Sequence, residues 1–126
     1  MKVNDIHPSI APWLSVPDGD KAVTFYKEAF VANETYRLES PDGGLVVRLA
    51  IASAEFWVSG DPSALRPVGG NSIRMILTVS NPDALFDQAL KAGANQIFPV
   101  GEEHGWRLGR LEDPFGLHWE IGYPLQ

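Results

Sequence analysis

A chain of 126 residues, 44% of them hydrophobic, can bury roughly two-thirds of its unfolded surface, so one domain over residues 1–126 is expected without metal or disulfide staples. The absence of cysteine removes disulfide and thiol chemistry, and a formal net charge of -6 without a basic cluster argues against a nucleic-acid partner. No apolar run approaches about 18 residues and the start Met1-Lys2-Val3-Asn4-Asp5 lacks a secretory pattern, so a cytoplasmic protein with no membrane partner is expected.

In chain order, residues 11–16 read as a short strand ended by Pro17-Asp18-Gly19, and Asp20 is placed to cap a helix from Lys21 to Phe30. Ala22, Val23, Tyr26, Ala29 and Phe30 recur at helical spacing and predict one apolar stripe to lie on a sheet. Strands are expected near 34–39, 45–52 and 55–59, with Pro41-Asp42-Gly43-Gly44 as a hairpin turn. The Pro- and Gly-rich stretch 61–70 reads as a linker between half-domains of about 10–60 and 71–123. The second half repeats the order: a strand over 73–79, Asn81 as cap before Pro82, a helix over 83–92 closed by Gly93, and strands near 96–100, 106–111 and 117–122. Asp113-Pro114-Phe115-Gly116 is the last tight turn.

The halves also match residue by residue. At a displacement of 62, Ala32-Asn33 falls on Ala94-Asn95, Gly43 on Gly105, Arg48-Leu49 on Arg110-Leu111, Trp57 on Trp119 and Gly60 on Gly122. These are seven identities over 29 positions, where unrelated segments would give roughly two. At 63, Leu14, Val16 and Asp20 fall on Leu77, Val79 and Asp83, so one residue is absorbed in or after the helix. The fold class expected is α+β, with two βαβββ half-domains in tandem forming a cup-shaped mixed sheet and helices outside.

A twofold βαβββ unit, the helix motif Lys21-Ala22-Val23-Thr24-Phe25-Tyr26, and Trp106-Arg107-Leu108-Gly109-Arg110 leading into Asp113-Pro114-Phe115-Gly116-Leu117-His118-Trp119-Glu120 together resemble the glyoxalase/bleomycin-resistance (vicinal oxygen chelate) superfamily. The likeness runs from about Ile10 to Tyr123 and is strongest to the small, single-domain bacterial group. It implies a small molecule held in the concave side of the sheet and a homodimer.

The resemblance also implies one divalent metal held by four side chains, one from the first and one from the last strand of each unit. Such a site needs lone-pair donors with positions left open for substrate. Here the four positions are read as Ala11, Val58, Arg74 and Glu120, so one donor remains. A guanidinium brings no lone pair and repels a cation, so neither metal nor another cofactor is expected, and Arg74 with Glu120 reads as an ion pair in the metal's place. His7, about four residues before the ligand position and beside Pro8, reads as a surface residue.

Strand alternation then proposes a ligand pocket of Trp13, Arg48, Phe56, Arg74, Ile76, Trp106, Leu108, Arg110, His118 and Glu120. Trp57 and Trp119, as repeat mates, are expected to pack on the helices. Aromatic walls with three guanidinium groups suit a small anionic or planar ligand. His118 and Glu120 are the candidates for proton transfer, and His104, in the loop Gly101–Gly105, is a candidate gate. Arg48 and Arg110 could equally pair with Glu39 or Glu112 and hold strands in register. Three functions stand at this point: ligand binding or sequestration without metal; a metal-dependent lyase, isomerase or dioxygenase of glyoxalase type with donors from elsewhere in the dimer; and a structural subunit whose cup is filled by its own side chains.

Overall fold

The computed structural model describes residues 6–67 and 72–126. Met1–Asp5, the end of the expected linker and the first residue of the second half-domain lie outside them. The order is β1 (Trp13–Val16), α1 (Gly19–Phe30), β2 (Asn33–Glu39), β3 (Leu45–Ile51), β4 (Ala54–Gly60), β5 (Arg74–Thr78), α2 (Pro82–Ala92), β6 (Asn95–Glu103), β7 (Trp106–Glu112) and β8 (His118–Pro124). Each half builds a four-stranded mixed sheet, β1-β4-β3-β2 and β5-β8-β7-β6, in which the first strand runs parallel to the last. Among the described residues no strand pairs one sheet with the other. No helix is long and apolar enough to cross a membrane among them either.

The caps explain where the helices begin. Asp18, rather than the expected Asp20, caps α1 by accepting from Lys21 N at 3.1 Å, and Asp20 sits in the first turn, where a negative charge meets the positive end of the helix dipole. Asn81 does the same for α2, accepting from Ala84 N at 3.3 Å with Pro82 beginning the helix. The expected stripe of α1 is buried entire, with Phe25 added.

The halves join through their helix-facing sides. α1 packs on α2, and Tyr26 and Phe30 of α1 reach across to Trp119 of β8 at ring-centroid distances of 5.5 and 4.7 Å. Phe56 of β4 meets the same indole at 5.5 Å, edge to face. Asp113 completes the joint. Fully buried in the turn before β8, its Oδ1 accepts from Phe115 N and Leu117 N at 2.9 and 3.0 Å, and its Oδ2 from Tyr26 Oη and Trp119 Nε1 at 2.5 and 2.9 Å. Burial pushes the Asp113 carboxyl up, against the pull of these donors, and burial together with the Asp113 charge holds the Tyr26 phenol well above its ordinary range.

Two changes of register in the repeat bear on the open faces. The register stands at 63 for the caps Asp18 and Asn81, and falls to 62 for the helix ends Val31 and Gly93 because α1 has 12 residues and α2 has 11. It stays there through β3/β7 and through β2/β6 as far as Phe98, after which β6 carries one extra residue in a bulge. Residues 51–54 then separate the paired Ala50 and Glu55, whereas residues 113–117 separate the paired Glu112 and His118, and the longer turn returns the register to 63. Trp57 is therefore the mate of Glu120, and Val58 of Ile121. This corrects the expectation that Trp57 matches Trp119 and Val58 matches Glu120. A slip of one residue exchanges the faces of a strand. Phe56 and Val58, 4% and 0% exposed, lie in the core rather than on the open face, while Trp57 leaves the core for the open face; Trp119 packs on the helices as expected.

Candidate functional site

With the helices covering one face of each sheet, chemistry is left to the other. On the first sheet a single row crosses all four strands: Trp13 pairs with Trp57, Trp57 with Arg48 and Arg48 with Tyr36. The two indoles stack at 6.0 Å and 24°, the Arg48 guanidinium lies 5.4 Å from the Trp57 ring, and Tyr36 meets that ring edge-on at 5.8 Å. Arg48 is held by Thr35 Oγ1 at 2.8 Å and Glu55 at 3.3 Å, not by Glu39 or Glu112, which serve Arg37 and Arg66.

The equivalent row of the second sheet is Ile76, Glu120, Arg110 and Phe98. Arg110 lies over Phe98 at 5.6 Å, and its Nη2 donates to Glu120 Oε1 at 3.5 Å. Arg74 approaches the other oxygen, Oε2, through Nε at 3.4 Å. The expected pair is thus a triad, with Glu120 13% exposed between two guanidinium groups. These separations exceed the roughly 2.8 Å of a tight charge-assisted bond, so each contact is loose. Beside Glu120 a shallow pocket of about 250 Å3 is lined by Ile76, Trp106, Leu108 and Gly122. Gly122 lets β7 pass close to β8 at this wall: a Cβ there would stand 2.2 Å from the carbonyl oxygen of Arg107.

Of the ten pocket residues expected from sequence, five lie together at this pocket and triad on the second sheet besides Arg74 at its edge: Ile76, Trp106, Leu108, Arg110 and Glu120. Trp13 and Arg48 belong to the first sheet's row, and Phe56 to the core. His118 is on the open face, paired across strands with Arg74 and Glu112, and only 9% exposed; its buried Nδ1 has no hydrogen-bond partner among the described residues. His104 does not sit in a covering loop. β6 and β7 run on to the pair Glu103 and Trp106, leaving His104 and Gly105 as a two-residue turn at positive φ, exposed at the tip of a hairpin. Trp57, Tyr36 and Phe98 were missed; the parity of β4 against β3 identifies the first, and the register of the edge strands the other two.

The metal implied by the fold does not fit these side chains. With the register corrected, the four donor positions hold Ala11, Trp57, Arg74 and Glu120, and three of them offer no lone pair to a cation. Among the described residues no three His, Cys, Asp or Glu side chains gather as a metal site.

A second cavity lies between the halves. It measures about 240 Å3 and runs along the unpaired edge of β5, from Arg74 to Leu77, toward the β3–β4 hairpin. Its floor is the aromatic joint of Phe56 and Trp119.

Residues 13–121 match the family model of the glyoxalase-like domain. An uncharacterised protein of Mycobacterium tuberculosis strain H37Rv is 35% identical over 136 aligned positions, spanning 100% of this chain and 79% of that one. Among solved structures, a glyoxylase/bleomycin resistance protein/dioxygenase domain from Frankia superimposes with a TM-score of 0.77 at 16% identity, over 94% of this chain and 98% of that one. TioX from Micromonospora does so at 0.73 and 23% identity, over 94% and 100%. A variant of the fosfomycin resistance protein FosX from Listeria monocytogenes, crystallised with Mn(II) and 1S,2S-dihydroxypropylphosphonic acid, does so at 0.74 and 15% identity, over 94% and 93%.

Proposed function

The chain belongs to the glyoxalase-like domain family, and we propose that it is a binding protein of that family which takes a small ligand without metal. One observation carries this reading: Arg74 stands at a donor position and, with Arg110, engages the single carboxylate that remains. The open faces are the binding surface. Trp13 and Trp57 offer flat rings on one sheet, and Ile76, Trp106 and Leu108 an apolar pocket on the other, each beside a guanidinium. A small planar or anionic ligand meets both requirements, by stacking and by charge.

A second copy of the chain completes the site. Trp13 and Ile76 are 54% and 57% exposed on β1 and β5, the unpaired edge strands of the two sheets. Apolar side chains on open edges favour covering by another chain, and a symmetric homodimer pairing the first sheet of one protomer with the second sheet of its partner covers both.

Metal analysis and tryptophan fluorescence test the reading together. Purified protein is expected to carry no stoichiometric Zn, Ni, Fe or Mn, and a screen of aromatic acids, sugar phosphates and cationic drugs is expected to yield quenching by anionic compounds that weakens in Arg48→Ala and Arg110→Ala. One metal per chain, lost in Glu120→Gln, overturns the proposal in favour of a metal-dependent enzyme. A monomer by light scattering at micromolar concentration removes the dimeric site.

A further inference from the structure

We propose that the cavity between the two halves is a second ligand site, bordering the open face of the second sheet at Arg74 and Ile76 but floored by the core, and that it takes an apolar monocarboxylic acid. Its walls come from both halves: Phe56 and Ala54 from the first, Met75, Leu77 and Trp119 from the second. Phe56, Met75, Leu77 and Trp119 are each less than 9% exposed, so the floor of the cavity is the core itself. The indole nitrogen of Trp119 is already bonded to Asp113, so this side chain presents only its ring surface to a ligand.

Charge decides what an apolar cavity of this kind accepts. Two charged groups line it, Glu55 and Arg74. Glu55 is engaged by Arg48 Nε at 3.3 Å. Arg74 is 37% exposed and touches Glu120 only loosely, through Nε at 3.4 Å; no hydrogen bond ties its Nη1 or Nη2 among the described residues. A guanidinium offering two terminal nitrogens at the mouth of an apolar pocket matches a carboxylate, which it can grip with parallel hydrogen bonds while the hydrocarbon part goes inward. An amine would meet the same guanidinium as a repulsion, and an alcohol would leave the charge unused.

In the proposed homodimer the partner borders this cavity along β5, but the inference does not rest on binding at the open faces, and the probes keep the two apart. Octanoate, octanol and octylamine are titrated by calorimetry into the wild-type chain, Arg74→Met and Ala54→Trp. Ala54 is exposed at the rim, so the larger side chain fills the mouth of the cavity without entering the core. Octanoate is expected to bind and the amine not to. Affinity is expected to fall about 10- to 100-fold in Arg74→Met, the loss of one charge-assisted contact, and by a similar factor in Ala54→Trp. Binding that falls in Arg74→Met and is unchanged in Ala54→Trp places the acid on the open face, which overturns the second site and leaves the first standing. Equal binding of acid, alcohol and amine removes the role of Arg74, and no heat with octanoate up to about 1 mM, with circular dichroism unchanged in all three proteins, overturns the proposal.

Discussion

Two rows at equivalent positions face outward from the two sheets: Trp13, Trp57, Arg48 and Tyr36 on one, Ile76, Glu120, Arg110 and Phe98 on the other. Both keep an arginine in the third strand of the unit and an aromatic ring beside it at the edge. They differ in the first and last strands, where the first sheet stacks two indoles and the second sets an isoleucine beside a carboxylate. Each arginine has both a π face and an acid, Trp57 and Glu55 for Arg48, Phe98 and Glu120 for Arg110, but only in the second row does the acid stand in the row itself, so the same scaffold position borders a stacking platform in one sheet and an ion triad in the other.

The strongest perturbation breaks what allows the halves to be compared as one body. Asp113→Ala leaves the Tyr26 hydroxyl, the Trp119 nitrogen and two backbone amides without an acceptor, and denaturant unfolding is expected to show a loss of about 3–5 kcal/mol. The rows themselves come next. Trp57→Ala removes a stacked indole, an edge contact and a cation–π contact, and is expected to cost about 2 kcal/mol, insensitive to salt. Glu120→Gln is expected to cost about 1–2 kcal/mol, since Arg74 is partly solvated, with much of the loss recovered when Arg74→Met is added. Salt at about 0.5 M should shrink the Glu120 effect alone; if both shrink alike, the first row is electrostatic too.

The helix ends sharpen the comparison at a smaller scale. Val31 and Gly93 are mates, and Val31, with φ of 59°, holds a β-branched side chain in the left-handed region that glycine adopts freely. Val31→Gly is expected to stabilise by about 0.5–1 kcal/mol, measured as a rise in Tm. On the edge strands Glu34 has Gln96 as its mate. Arg37 and Lys27 hold the Glu34 carboxyl down at about 2 from 4.5, so its contribution is complete above pH 4.5 and is lost as pH falls through about 2. Glu34→Gln should therefore cost about 0.5 kcal/mol at neutral pH and nothing near pH 2, a difference read from parallel acid titrations.

Element order was legible because its signals are local: apolar period in the helices, Pro and Gly at the turns, Asn81-Pro82 and Gly93 at the ends of α2. The face of β4 was not. Phe56-Trp57-Val58 gives three apolar residues in succession, so alternation cannot say which points inward, and a chance match at 62 supplied the wrong answer. Only the length of the preceding turn decides it, through the pairing with β3. The pair Arg74 and Glu120 was legible only through the donor positions that the family resemblance implies, and Arg110 joins it through the pairing of β7 with β8, which a local pattern does not give. Asp18 reads as part of the turn and Asp20 as the cap of α1; the extended backbone at Asp18 makes it the cap instead, two residues earlier than the apolar period alone suggests.

The bond between Tyr26 and Asp113 spans 87 residues of sequence, and this has a consequence for biosynthesis. The hairpins of each half form from near neighbours, but the phenol of α1 finds its acceptor only when the last turn exists. Until the second half is made, Tyr26, Phe30 and Phe56 have one another and Phe25 to pack on but no Trp119 to close over them. That interval presents an aromatic surface to chaperones and to other nascent chains, and it closes when Asp113 and Trp119 leave the exit tunnel.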